Sequence, residues 1–148
     1  MVSSSDRNTY PLLNEEVRKN GKPDILIIIM ESFANDIMPS VGTHKDVAVC
    51  LDSIARKGIF FPRFYSNTFR TDRGLVAVLS GYPAQPTTSI MRYPAKSAQL
   101  PSLARSLAKA KHYGNAYYYG GDVDFANQRS WLVSQGYERI ISDSDFPI

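Results

Sequence analysis

Two residues 40 positions apart, Glu31 and Thr71, are of types that do chemistry together. A carboxylate ligates hard cations, and a hydroxyl becomes a nucleophile once its proton is drawn off. Glu31 directly follows Ile25-Leu26-Ile27-Ile28-Ile29-Met30, the most apolar run of the chain. If that run is a strand, Glu31 stands at its carboxyl end, where open α/β sheets bind ligands, and would anchor Mg²⁺, Mn²⁺ or Zn²⁺ on a rigid element. The plainer alternative is a carboxylate that meets solvent or caps a neighbouring helix. Thr71 stands where the loop Ser66-Asn67-Thr68-Phe69-Arg70 gives way to a helical pattern. A hydroxyl there lies near unpaired N–H groups and the positive end of the helix dipole, which favour anions and a developing alkoxide. Threonine at a helix start is most commonly an N-cap, which is the competing reading. Arg70 and Arg73 flank this hydroxyl with two guanidinium groups, a pairing suited to a phosphate or sulfate ester.

The elements that must position these residues follow from periodicity and punctuation. Residues 1–22 read as a lead-in with a short helix predicted over Leu12 to Lys19, and residues 23–148 as one folding unit. Ile25 to Met30 is apolar at consecutive positions, so it reads as a central parallel strand buried on both faces. Asp46 to Lys57 carries Val47, Leu51, Ile54 and Ala55 at helical spacing and stops at Gly58. Ile59 to Tyr65, interrupted by Pro62, predicts a short or edge strand. A helix from Thr71 through Leu79 ends at Ser80-Gly81, residues 82–100 should wander over the surface, and Pro101-Ser102-Leu103 opens a helix to about Lys111. Asn115 to Tyr119 reads as a buried strand, Asn127 to Gln135 as a helix and Arg139 to Ile141 as a strand. Alternating strands and helices predict an α/β fold: a mostly parallel sheet with helices on both faces.

Composition narrows the function classes. With 148 residues and 43% hydrophobic content, the chain has material for one core. Its net charge of +3 is spread over 17 basic and 14 acidic residues, which argues against a basic tail for nucleic acid. Tyr117-Tyr118-Tyr119 fits a strand better than a stacking platform, so no nucleic-acid partner is expected. Cys50 is the single cysteine, which excludes an internal disulfide and an all-cysteine metal site. The longest apolar run, six residues, is far short of the roughly 20 a spanning helix needs.

Pro23 to Phe33, followed by Thr71 within Asn67 to Leu75, resembles the lipoteichoic acid synthase and phosphoglycerol transferase branch of the alkaline phosphatase/sulfatase superfamily. Leu79-Ser80-Gly81-Tyr82-Pro83 and the stretch from Tyr118-Tyr119-Gly120-Gly121-Asp122 to Arg129 fit the same pattern, so the resemblance runs from about residue 23 to the end. It implies that Glu31 and Thr71 ligate a divalent cation, commonly Mn²⁺ or Mg²⁺, and that Thr71 attacks phosphorus. It also implies that Arg129 contacts the phosphate or head group of a phospholipid or other phosphate-ester substrate, and Arg73 and Asn127 are taken as further candidates for substrate binding. Asn127 stands where lipoteichoic acid synthases tend to carry an aromatic residue.

The family completes its metal site with an Asp-His pair and a further His from the C-terminal half of the domain. Here only His44 and His112 occur, both in surface contexts, so the resemblance implies a domain incomplete at its C-terminus and inactive without its other half. Such a fragment should expose apolar surface and self-associate. The resemblance further implies a membrane-anchored protein with its catalytic domain outside the cytoplasm. A sulfatase would carry Cys or Ser in a Cys/Ser-x-Pro-x-Arg stretch, where this chain has Thr71-Asp72-Arg73. Ester hydrolysis and a noncatalytic interaction module of the same fold remain the alternatives.

Overall fold

The computed structural model describes residues 21, 23–111 and 113–147, and it divides the chain into two compact units, residues 1–30 and 31–148. The helix expected over 12–19 and His112 lie outside the described residues.

In the first unit, Ile25 to Met30 belongs to no strand, and its side chains are between 44% and 83% exposed. The expectation of a buried central strand is therefore corrected. An apolar run becomes such a strand only when ladders form on its edges and layers cover both faces, and no strand among the described residues pairs with it.

The second unit is built around one parallel pair. Strands β1 (Ala116–Tyr118) and β2 (Arg139–Ile141) run side by side with Ala116 opposite Arg139, Tyr117 opposite Ile140 and Tyr118 opposite Ile141. A further bond from Tyr119 N–H to the Ile141 carbonyl (2.8 Å) carries the ladder one residue on. Among the described residues five α-helices accompany them: α1 (Val49–Ala55), α2 (Thr71–Ser80), α3 (Pro94–Ser97), α4 (Leu103–Lys111) and α5 (Gln128–Ser134). Parallel strands need a crossover, and α5 lies between β1 and β2 in the chain, which makes the C-terminal part a β-α-β unit. The predicted α/β class with a parallel sheet is what the chain adopts. Tyr118 is exposed, while Tyr117 and Tyr119 pack on the core, so the tyrosine run is covered on one side only.

Helix α2 buries the stripe Leu75, Val76 and Leu79, at i, i+1 and i+4, against Met91, Val123, Trp131 and Leu132. It stops at Gly81, whose φ of +63° is the left-handed conformation that glycine tolerates at a helix end. Helix α1 is shorter than expected, and Lys57 and Gly58 close it with bonds to the Ile54 and Ala55 carbonyls. Buried Asp52 of α1 accepts the Ser40 N–H (2.9 Å) and pairs with Arg56.

Two loops depart from expectation. Ile59 to Tyr65 forms no strand: Pro62 has no N–H for a ladder, its carbonyl accepts Asn35 Nδ2 (2.7 Å), and Phe64 N–H closes a turn onto Phe61 (3.2 Å). Residues 82–100 do not wander freely. They hold a 3₁₀ turn at Ile90–Arg92 and helix α3, and they bury Ser89, Met91 and Ser97 because Met91 completes the core beneath α2.

Gln135, almost fully buried, fastens the C-terminal end of this assembly. Its Oε1 accepts Ser80 Oγ (3.2 Å), its Nε2 donates to the Ser97 carbonyl (3.0 Å), and its carbonyl accepts Ser102 Oγ (2.6 Å). Leu132 has no exposed surface, and Leu132→Ala is expected to cost about 2–5 kcal/mol in chemical denaturation. Burial, aided by Tyr119 and Tyr137, pushes the Tyr117 phenol up to about 12, against about 10 for a free tyrosine. A folded value above the unfolded one gives stability that is complete below about pH 10 and lost as pH rises toward 12. Denaturation midpoints measured across that window should therefore fall less steeply in Tyr117→Phe than in the parent chain.

Candidate active site

Thr71 is the first residue of α2, and the N-cap is Arg70, in extended conformation with no side-chain cap. The N-cap reading of Thr71 does not hold. Its hydroxyl makes no hydrogen bond among the described residues, and neither do the backbone N–H groups of Thr71 and Asp72. The first N–H donated back into the turn is that of Arg73, to the Arg70 carbonyl (3.2 Å). A half-buried hydroxyl, two open N–H groups and the positive end of a ten-residue helix thus share one spot. Thr68 shapes the approach, its hydroxyl accepting the Arg70 N–H (3.2 Å).

The flanking charges are used unequally. Arg70 lies with Nε 3.5 Å from Asp72 Oδ1, an ion pair too long and misaligned to count as a hydrogen bond, so that buried carboxylate oxygen is left without a hydrogen-bond donor. Arg73 points elsewhere: one Nη donates to the carbonyls of Gln85 (2.7 Å) and Pro86 (2.5 Å), and its guanidinium lies 5.3 Å from the centre of the Phe69 ring. Arg73 clamps the 85–86 loop beside Tyr82, Pro83 and Thr88, where a shallow, largely apolar depression forms.

Glu31 is exposed in a turn whose next residue, Ser32, has a φ of +56°. No hydrogen bond or ion pair joins it to Thr71 among the described residues. The described residues contain no group of three or more His, Cys, Asp or Glu side chains placed to hold a metal ion. One carboxylate and one hydroxyl fall short of the roughly six oxygen donors that Mg²⁺ or Mn²⁺ takes, so these residues alone do not fit a metal centre. His44 pairs with Asp36 (3.3 Å) on the surface, as its polar loop suggested. Thr43, through its hydroxyl and N–H, holds the Asp36 carboxyl below the usual range.

Arg129 and Asn127 lie on the connection from β1 to α5. Asn127 is the N-cap of α5 at φ +63°, and Ala126 before it sits at φ +57°. Arg129 Nε donates to Asp124 Oδ1 (2.8 Å). That bond, with Asp145 and Asp122 acting through space, holds the guanidinium still more firmly protonated than usual. Sequence reasoning missed Asp124. Five residues before Arg129 is not a helical spacing, and only the left-handed turn at 126–127 brings the two together.

The Sulfatase family profile matches residues 23–146. Among solved structures, a protein of the alkaline phosphatase superfamily from Vibrio parahaemolyticus superposes with a TM-score of 0.70 and 23% identity, covering 80% of this chain and 28% of that one. The lipoteichoic acid synthase LtaP from Listeria monocytogenes superposes with a TM-score of 0.67 and 16% identity, covering 80% of this chain and 29% of that one. The chain therefore spans under a third of the length of either. No curated protein matches. At these identities the superpositions establish a shared fold, the one that the sequence motifs pointed to. With residues 23–146 matched by the profile, the chain belongs to the sulfatase family.

Proposed function

We propose that the chain is the N-terminal part of a metal-dependent phosphoryl-group transferase, which moves a phosphoglycerol or phosphoethanolamine group from a phospholipid through Thr71. The observation that carries this reading is the Thr71 hydroxyl at the head of α2, which with two neighbouring backbone N–H groups makes no hydrogen bond among the described residues. A helix N-terminus of this kind suits the oxygens of a phosphoryl group, and Arg70 adds a cation. The likeness to a lipoteichoic acid synthase supports transfer over sulfate-ester hydrolysis.

In the proposed step, Thr71 Oγ1 bonds to phosphorus as the bond from phosphorus to the diacylglycerol oxygen breaks. The threonine gives up its proton and the departing alkoxide takes one up. The resulting phosphothreonine ester is then resolved by an acceptor alcohol, or by water if the protein is a hydrolase. Arg129 and Asn127 are assigned to the head group. Arg73 serves through the 85–86 loop that it clamps. Glu31 and Thr71 are assigned to a divalent cation, Mn²⁺ or Mg²⁺ before Zn²⁺, with the other ligands and the partner layers supplied by a C-terminal portion of a longer protein. That the chain covers only 28% and 29% of the two solved chains supports a longer complete domain. Without that portion the exposed Ile25 to Met30 run favours self-association. The same reading places the catalytic domain outside the cytoplasm on a membrane anchor; no helix among the described residues is long and apolar enough to cross a membrane.

The test is to incubate the full-length protein with Mn²⁺ and phosphatidylglycerol, quench it and map adducts by mass spectrometry. A phosphoglycerol adduct on Thr71 is expected, and Thr71→Ala should abolish it and lower turnover by about 10³-fold or more. A folded, metal-loaded protein that turns over without any adduct on Thr71 would overturn the reading.

A further inference from the structure

The loop between β1 and α5 is pinned at several points. Asp122 Oδ1 accepts the Asp124 N–H (2.8 Å), and Val123 between them is 0% exposed. The Val123 carbonyl accepts the Arg129 N–H (2.9 Å), and buried Gln128 donates to the Tyr117 hydroxyl (3.1 Å). Two successive left-handed residues, Ala126 and Asn127, reverse the chain between these anchors. The reversal sets the Asp124 carboxylate against Arg129 Nε at 2.8 Å. One edge of the guanidinium is thereby occupied, while neither Nη has an acceptor among the described residues.

A guanidinium held by one edge and open along the other is suited to bidentate contact with a phosphate. Its place supports this use, because the loop leaves the carboxyl end of β1, where α/β sheets bind their ligands. We infer that Asp124 is a positioning residue, which accepts from Arg129 Nε and so aims the open Nη edge at the phosphate of the donor. This rests on the transferase reading of the site. The competing account is that Asp124, with Asp122 and Asp145 nearby, only repels an anion from Arg129. The two accounts differ in sign. An aiming carboxylate strengthens phosphate binding, and an asparagine can replace it because its carbonyl still accepts from Nε. A repelling carboxylate weakens binding, and its neutralisation by either alanine or asparagine tightens it.

The experiment follows the Arg129 Nε–H resonance in ¹⁵N-labelled chain while glycerol phosphate is added. In the parent chain the resonance should exchange slowly and shift on titration. Asp124 is 66% exposed at its side chain, so its variants should fold, which far-UV circular dichroism checks. Asp124→Ala is expected to speed exchange of the resonance and raise the Kd for glycerol phosphate about fivefold, with Asp124→Asn within about twofold of the parent. Tighter binding in both variants, or unchanged binding in Asp124→Ala, would overturn the proposal. So would a parent resonance indifferent to glycerol phosphate, whatever Thr71 does. Conversely, a missing Thr71 adduct with this pattern intact would sink the transferase reading and leave the aiming of Arg129 standing.

Discussion

The rest of the structure depends on the burial of one face of α2. Leu75, Val76 and Leu79 meet Met91, Val123, Trp131 and Leu132 in a single cluster, and each such side chain contributes about 1.5–3 kcal/mol when withdrawn from water. The consequence for the site is geometric. Thr71 lies one turn before Leu75, so the packing that fixes the rotation of α2 also fixes where its first turn faces. The far end is fixed separately, because Ser80, the last residue of α2, is bonded to buried Gln135. A helix held along one face and at its C-terminus presents its N-terminus as a preorganised group of donors.

The same physics explains what the sequence revealed and what it did not. The stripe in α2, with Gly81 after it, is a local signal, and the helix begins and ends where the pattern says. Arg139 to Ile141 was equally legible, because a short β-favouring run after Gly136-Tyr137 leaves few alternatives. Ile25 to Met30 shows the limit: its composition states a demand for burial, but a strand is a property of a pair, and no partner among the described residues meets the demand. Met91 and Ser89 were misjudged for the complementary reason. Pro, Thr and Ser around them signal loop, yet a loop that crosses beneath a helix can insert one methionine into the core.

At the site, residue type was readable and residue employment was not. Arg70, Arg73 and Arg129 look alike as guanidinium groups in sequence, but one hovers near Asp72, one is spent on two loop carbonyls and one is held by a carboxylate across a turn. Thr71 was recognised as the head of a helix. That it is N1 and not the cap depends on one backbone angle of Arg70, whose ψ of 128° keeps it outside the helix. This distinction carries chemical weight, since a capping hydroxyl is engaged by its own helix and an N1 hydroxyl is free to meet a ligand.

The left-handed pair at Ala126 and Asn127 shows how that division is maintained. Asparagine tolerates this conformation, but alanine there costs about 1 kcal/mol or more. The cost persists because relaxing the turn would break bonds on both sides of it: Val123 would leave the core, Gln128 would lose Tyr117, and Arg129 would lose both its backbone bond to Val123 and its bond to Asp124. A buried valine and a buried glutamine alternate along the loop with two exposed carboxylates and a half-exposed arginine. The anchors face the core and the charges face outward, so the strain is held by the buried side chains and not by the exposed ones. A glycine at position 126 would remove the cost, so the conformation is imposed by these anchors and not by the intrinsic preference of the alanine.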